Sequence, residues 1–376
     1  MRNYLIVTSV VILGFVARVL PDVRLSADQD DSTIASAANA VQDQQVASTI
    51  AFTSTRDNPT AVPPITGGEI YFMDYLTDGS FSIPRRLTWN NIYTDIFPAL
   101  SPDGKGKIVF DSNRLRASWE PINTSDLFLM NHDGTEEVFL TRGGSPTWSP
   151  AGPNGQASKT IAFHRSQSGI GAPINPFPGA ATADSDIFVV NVDDLLENGA
   201  VPRNITSNRV STVDDDPNWS PDGQKIVFTS YDEPSPTATN AEIYVMNADG
   251  TGQEQLTNNG VEKRGPAWSP NGLQILFACR QGMIGNNGLA TFEICVMEAV
   301  ANGHTTQLTF NNSNDLTPTW SPDGQEIIFH RTPANQLWKM RADGSDPTPL
   351  TAPPGFNLLA TSWSVIKVGR GRAVQP

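Results

Sequence analysis

From about residue 50 to residue 366 the chain is built of short runs in which apolar and polar side chains alternate, separated by Gly, Pro, Asp and Asn. A period of two puts alternate side chains on opposite faces of a β-strand. Three signatures carry the runs and recur in fixed order. The first is a turn block, LSPDG at Leu100–Gly104, WSPAG at Trp148–Gly152, WSPDG at Trp219–Gly223, WSPNG at Trp268–Gly272 and WSPDG at Trp320–Gly324. The second is a β-branched run closed by Phe52, Phe110, Phe163, Phe228, Phe277 or Phe329. The third is an alternating run, EIYFMD at 69–74, DLFLMN at 126–131, DIFVVN at 186–191, EIYVMN at 242–247, EICVME at 293–298 and QLWKMR at 336–341. Leu-Thr or Ile-Thr follows each, at Leu87, Leu140, Ile205, Leu256, Leu308 and Leu350.

The turn residues explain the order. Proline fixes φ, and Asp-Gly permits the left-handed bend that closes a hairpin. Each repeat therefore predicts four antiparallel strands, a to d, with tight a–b and c–d turns. Four-stranded units of about 50 residues in tandem are blades of a β-propeller. Strands b, c and d occur six times; strand a occurs five times and once more at Trp363-Ser364, near the end of the chain. The expected fold is all-β, a six-bladed propeller over 49–368, closed by a C-terminal strand that completes the first blade and removes the open sheet edge.

The first 20 residues differ. Met1-Arg2-Asn3 is positively charged, and Tyr4–Ala17 is apolar apart from Thr8 and Ser9. Fourteen residues is signal-peptide length, with an uncleaved membrane anchor as the alternative. Residues 21–48, rich in Ala, Ser, Gln and Asp, are expected to be a flexible linker, and 369–376 a tail. The chain is therefore expected to be exported, periplasmic or extracellular, touching membrane only through its N-terminal segment. Lys+Arg 25 against Asp+Glu 39 gives a net charge of −14, which argues against nucleic acid as a partner.

The ordered pattern, clearest over Trp219–Thr257 and Trp320–Thr351, resembles the WD40-like repeat of TolB-like propellers. That resemblance implies the six-bladed fold and an envelope setting; the family's α/β domain ahead of the propeller is not expected in the residues before 49. The repeat also resembles the propellers of prolyl-oligopeptidase-type enzymes, whose hydrolase domain carries a Gly-x-Ser-x-Gly elbow; the motif does not occur in this sequence.

On a propeller the b–c and d–a connections share one face. Here the b–c connections are long: 54–68, 112–125, 165–184, 230–241 and 279–291. Variable loops on a rigid scaffold build binding surfaces. Three residues before the strand-a proline stand Asp95, Gly143, Asp214, Lys263 and Asp315, with Asp215 and Asp216 beside Asp214. These side chains are expected at the channel mouth, as a site for a cation or a basic peptide end. The competing reading is salt bridging to the arginines after strand b: Arg56, Arg114, Arg165, Arg280 and Arg331. No cofactor is expected, with a cation such as calcium in the channel left open. His164 and His330 fall in opposite blades and do not suggest a shared metal. Cys279 and Cys295 lie on neighbouring strands, where a disulfide and two buried thiols are both allowed. The expected role is a monomeric propeller that binds an envelope protein or peptide; the alternative is a propeller hydrolase or lyase acting on an extracellular glycan or peptide.

Overall fold

The computed structural model describes residues 46–54, 68–89, 93–102, 106–115, 125–150, 158–166, 185–207, 212–232, 240–280, 291–333, 336–350 and 358–364; for Ser166, Asp232 and 358–364 only the backbone is described. The expected leader and tail, the expected linker as far as residue 45, Arg56, and most of the long b–c connections lie outside the described residues, whereas 46–48, expected in the linker, form a strand.

The architecture is a mainly-β propeller. Strands β1 (Val46–Ser54), β2 (Glu69–Leu76) and β3 (Arg85–Arg86) belong to the first sheet. The second holds β4 (Asp95–Leu100), β5 (Lys107–Ser112), β6 (Asp126–Asn131) and β7 (Val138–Arg142). Next come β8 (Gly144–Trp148), β9 (Thr160–Ser166), β10 (Ser185–Asn191), helix α1 (Val192–Asn198) and β11 (Arg203–Asn204). They are followed by β12 (Thr212–Trp219), β13 (Lys225–Asp232), β14 (Glu242–Asn247) and β15 (Glu254–Gln255). These two antiparallel sets form one mixed sheet, joined by a single parallel pair, Ser185 with Val213. Two further four-stranded sheets hold β16 (Lys263–Trp268), β17 (Gln274–Arg280), β18 (Phe292–Glu298) and β19 (Thr305–Gln307), then β20 (Asn314–Trp320), β21 (Glu326–Thr332), β22 (Gln336–Arg341) and β23 (Thr348–Pro349). The last strand, β24 (Leu358–Ser364), pairs antiparallel with β1, from Thr49 opposite Ser364 to Ser54 opposite Leu358.

Each signature has a mechanical role. Phe52, Phe110, Phe163, Phe228, Phe277 and Phe329 are all fully buried. Truncating such a side chain to alanine typically costs about 3–5 kcal/mol. The Leu-Thr threonine links strands c and d: Thr257 Oγ1 accepts the Ile243 N–H at 3.0 Å and donates to Glu242 Oε2 at 2.5 Å. Thr309 does the same for Ile294 and Glu293, at 2.9 and 2.6 Å. In the turn block Ser220 Oγ donates to Asp222 Oδ1 at 2.6 Å and accepts the Lys225 N–H at 2.9 Å. Two of the tryptophans at the end of strand a tie neighbouring units: Trp148 Nε1 donates to the Ala99 carbonyl at 3.0 Å, and Trp320 Nε1 to that of Ala267 at 3.3 Å.

Helix α1 is a departure from the all-strand expectation. It occupies the c–d connection of the unit whose third signature is followed by Asn-Gly only seven residues on, at Asn198-Gly199, which leaves room for a helix before the turn. Asn191 caps it by accepting from the N–H groups of Asp193 and Asp194, and Gly199 ends it at φ 65°.

Three of the c–d turn glycines, Gly134, Gly250 and Gly344, lie against the preceding unit. A Cβ at Gly134 would stand 2.8 Å from the Leu87 carbonyl oxygen, and one at Gly344 2.9 Å from that of Leu308. At Gly250 a Cβ would overlap the Ile205 carbonyl, and φ is +89°. Gly250→Ala therefore combines a backbone clash with left-handed strain, and a loss of about 1–3 kcal/mol is expected by chemical denaturation. A loss no larger than that of an exposed surface substitution would show that the neighbouring unit yields at this contact.

Cys279 and Cys295 form a disulfide between β17 and β18, with Cα atoms 5.9 Å apart and both residues buried.

Candidate functional site

The first strand of each unit breaks register just before a proline. Shifts fall between Ile96 and Ala99, Gly144 and Thr147, Asp215 and Asn218, Arg264 and Ala267, and Leu316 and Thr319. At each break one residue is left-handed: Phe97 (φ 51°), Ser145 (47°), Asp216 (50°), Gly265 (55°) and Thr317 (48°). For a side chain other than glycine this costs about 1–2 kcal/mol. A bulge bends the strand and re-aims its side chains, and repeated strain of this kind points to a site. The strands concerned, β4, β8, β12, β16 and β20, lie side by side in that order.

The bulges of β8, β12 and β16 meet. The Ser145 N–H donates to Asp111 Oδ2 at 3.1 Å, and Ser145 Oγ donates to Asp216 Oδ1 at 3.2 Å. The Gly265 N–H donates to Asp216 Oδ2 at 3.2 Å. Beside them the His164 Nδ1 is ion-paired with Asp215 Oδ1. Thus β5, β8, β9, β12 and β16 contribute to one network. Gly144 makes room for it: a Cβ there would fall 2.7 Å from His164 Nε2 and 3.0 Å from Asp111 Oδ2. Asp111 and His164 are buried, whereas the Asp215 side chain is 32% exposed. The arrangement presents two half-open carboxylates above a buried carboxylate and imidazole.

The electrostatics follow from burial and neighbours. Burial pushes the Asp111 carboxyl well above its ordinary value, offset only in part by His164. Burial and then the Asp215 charge raise Asp216 to about 6. Burial pulls His164 down, but the charge and hydrogen bond of Asp215 outweigh it and hold the imidazole above its usual value. Asp215 is also penalised by burial, yet His164 keeps it below the usual carboxylate range. The folded chain thus holds more protons at Asp216 and His164 than the unfolded chain does. Stability contributed by these two groups is present in mild acid and falls as pH rises through about 6 and then through the raised His164 value. Asp215 acts oppositely, its contribution being lost below the ordinary aspartate range. The expected result is a higher Tm at pH 5.5 than at pH 8, with the slope reduced in Asp216→Asn. An Asp216→Asn profile as steep as the wild type's would rule out Asp216 as a source.

The charged residues singled out from the sequence are placed differently. Asp95, Asp214 and Asp315 are fully buried and Lys263 is buried. Arg114 Nη2 holds both Asp95 oxygens at 3.0 and 2.9 Å, and its Nη1 pairs with Glu137. Arg331 donates from Nε and Nη2 to the two Asp315 oxygens at 2.7 and 2.8 Å. Ser230 Oγ donates to Asp214 Oδ1 at 2.6 Å. Lys263 Nζ donates to Glu242 Oε2, Asn259 Oδ1 and the Val261 carbonyl at 2.7, 2.6 and 2.6 Å. Arg280 pairs with Glu262 at 2.9 Å, and the Arg165 guanidinium lies 5.6 Å from the Phe188 ring centroid. Only Asp215 and Asp216 of that set stand in the network. Asp111, Ser145 and His164 were not among the site candidates. The signal for them is positional: Asp111 and His164 follow the phenylalanine of the second signature, and Ser145 precedes the strand-a proline. Among the described residues no three His, Cys, Asp or Glu side chains have the grouping of a metal site.

No family model matches the sequence. Two curated relatives match in part. The uncharacterized peptidase YuxL of Bacillus subtilis is 28% identical over 30% of this chain and 21% of its own length. The uncharacterized protein Atu1656 of Agrobacterium fabrum is 27% identical over 38% of this chain and 45% of its own. The matches therefore span less than half of either relative. Among solved structures, TolB from Acinetobacter baumannii aligns over 89% of this chain and 71% of its own, with TM-score 0.56 and 18% identity. A putative TolB from Agrobacterium tumefaciens aligns over 82% and 89%, with TM-score 0.52 and 17% identity. Hydrazine synthase from Kuenenia stuttgartiensis aligns over 86% and 47%, with TM-score 0.60 and 16% identity. At such identities a likeness carries architecture alone, since one fold hosts many functions. The chain has the fold of a TolB-like β-propeller.

Proposed function

We propose that this chain is an exported interaction propeller of the cell envelope, and that the Asp111–Ser145–His164–Asp215–Asp216 network is its working site. One observation carries the reading: strands from successive units converge, through strained bulges, on the partly exposed carboxylates of Asp215 and Asp216. Polar groups placed this way on a rigid scaffold serve recognition. The absence of a Gly-x-Ser-x-Gly elbow from the sequence gives no support to a hydrolase of the kind the repeat also resembles.

The finer architecture belongs to the same proposal. We infer six four-stranded blades, the mixed sheet counting as two, closed where β24 completes the blade of β1. Support comes from the β1–β24 register and from the position of β24 beside both β4 and β20. The Cys279–Cys295 disulfide favours an oxidising compartment outside the cytoplasm, in keeping with the charged and apolar opening of the sequence.

The test is capture from the envelope fraction of the source cell, with the full chain as bait beside an Asp215→Asn/Asp216→Asn variant. A protein held by the wild type and lost by the variant is the expected result. Equal retention by both would remove the network from the interface, and retention of nothing by either would count against the interaction reading.

A further inference from the structure

The network has a chemical bias that narrows what it can hold. Its charged members, taken from every strand packed against it, are Asp111 on β5, His164 on β9, Asp215 and Asp216 on β12, and Arg264 on β16. The Arg264 guanidinium is held by Glu262, which its Nε meets at 2.7 Å, and its charge also reaches Asp215. Three carboxyl groups thus share one imidazole and the part of that guanidinium's field that Glu262 leaves. Two buried oxygens at the same level are without a hydrogen-bond partner: Asp111 Oδ1, on a residue 1% exposed, and Thr229 Oγ1, on a residue 3% exposed. Thr229 stands opposite Asp215 in the β12–β13 register. Oxygens of this kind call for a donor.

We infer that the network is a receptor for a primary ammonium group, from a lysine side chain or a chain N-terminus. The inference rests on the interaction reading above and names the chemistry of the same site. An ammonium brings three donors and no acceptor, which suits convergent oxygens from separate residues. A guanidinium is the weaker match, because its planar fork needs both oxygens of one carboxylate. Here each carboxylate already has an oxygen engaged: Asp111 Oδ2 by the Ser145 N–H, Asp215 Oδ1 by His164, and both oxygens of Asp216 by Ser145 and Gly265. Binding of a cation favours the ionised form of Asp111 and Asp216, so protons are released and affinity weakens in acid.

The test is calorimetric titration of the full chain at pH 7 with four capped or uncapped tripeptides. Acetyl-Ala-Lys-Ala-amide carries a side-chain ammonium, and Ala-Ala-Ala-amide a terminal one. Acetyl-Ala-Arg-Ala-amide and acetyl-Ala-Gln-Ala-amide are the comparisons. The expected result is that one of the ammonium peptides binds about tenfold or more tightly than both comparisons. That preference should weaken by about tenfold in Asp216→Asn, and also at pH 5. Asparagine tolerates the left-handed backbone that residue 216 adopts, so this variant keeps its local conformation. Equal binding of the arginine or glutamine peptide would overturn the inference, as would silence of both ammonium peptides with a chain that unfolds cooperatively. If a captured protein depends on Asp215 and Asp216 while the ammonium peptides are silent, the ammonium assignment falls and the interaction reading stands. If the ammonium peptides bind but capture is indifferent to the two aspartates, the converse holds.

Discussion

Arg331→Ala is expected to destabilise the chain by about 3–5 kcal/mol, with the denaturant midpoint lowered and the m-value unchanged. Asp315 is fully buried, and both its oxygens are taken by the one guanidinium. Removing the guanidinium leaves a charge in a medium that cannot solvate it. Asn311 Nδ2 still donates to Asp315 Oδ2 at 2.8 Å, but one neutral donor does not balance a carboxylate. The guanidinium also packs 4.2 Å from the Trp338 ring centroid and 5.2 Å from that of Phe329, so its loss removes aromatic contact as well. The double variant Asp315→Ala/Arg331→Ala is expected to recover part of the loss, because no buried charge remains. A single-variant loss below about 1 kcal/mol, the range of exposed pairs, would show that water reaches Asp315. In the Asp95–Arg114 pair the single Nη2 meets both carboxylate oxygens while Nη1 pairs with Glu137, so the same experiment there also reads the loss of that second pair.

Removal of the Cys279–Cys295 disulfide is the second large effect. The cysteines are 16 residues apart in sequence, so the bond closes a short loop of the unfolded chain. Loop-closure entropy for that length is worth about 3 kcal/mol. Cys279→Ala/Cys295→Ala should therefore lower stability by about that amount, with a further loss from the two buried sulfurs themselves. Comparing the double variant with the wild type under reducing and oxidising conditions separates the terms. Reductant should destabilise the wild type and leave the variant unmoved. If reductant changes neither, the cross-link contributes nothing to stability, and chain-entropy reasoning fails here.

Much of the architecture was legible because the repeat writes it several times over. The phenylalanine of each second signature is buried, each Leu-Thr threonine that bonds across strands c and d sits where the pattern marks it, and the Ser-Pro-Asp-Gly blocks are turns. The site was less legible, for physical reasons. A residue before proline is ordinarily extended, so nothing in Ser145-Pro146 or Asp216-Pro217 announces a left-handed residue. The pattern allows two readings of Asp214 and its counterparts, a channel-mouth site and pairing with the arginines after strand b; all three are buried, with Asp95 and Asp315 paired to Arg114 and Arg331 and Asp214 bonded to Ser230. His164 and His330 share the same local sequence, yet what distinguishes His164 is Asp215, some 50 residues on, a distance no local motif spans. Helix α1 could have been read from Asn191, Asp193, Asp194 and Gly199, which are start and stop signals. The strand periodicity of the run before it concealed them.

The contact between a turn glycine and the carbonyl of the unit before it has a consequence for how this chain can change. Gly134, Gly250 and Gly344 each use the space a methyl group would occupy to seat a neighbour's backbone. The turn-block glycines face the neighbour's proline ring with room for a methyl group, as Gly324 faces Pro270 at 3.6 Å, so there it is the positive φ and not the contact that asks for glycine. These turns act as gear teeth: their spacing fixes the angular pitch from one unit to the next. A residue inserted among them alters the pitch and is felt by every later unit. A residue inserted in a long b–c connection leaves these turn contacts alone. The two rims therefore evolve under different rules, one tuned for meshing and the other free to vary in its connections so long as the buried pairs beneath them, such as Asp315–Arg331, are kept.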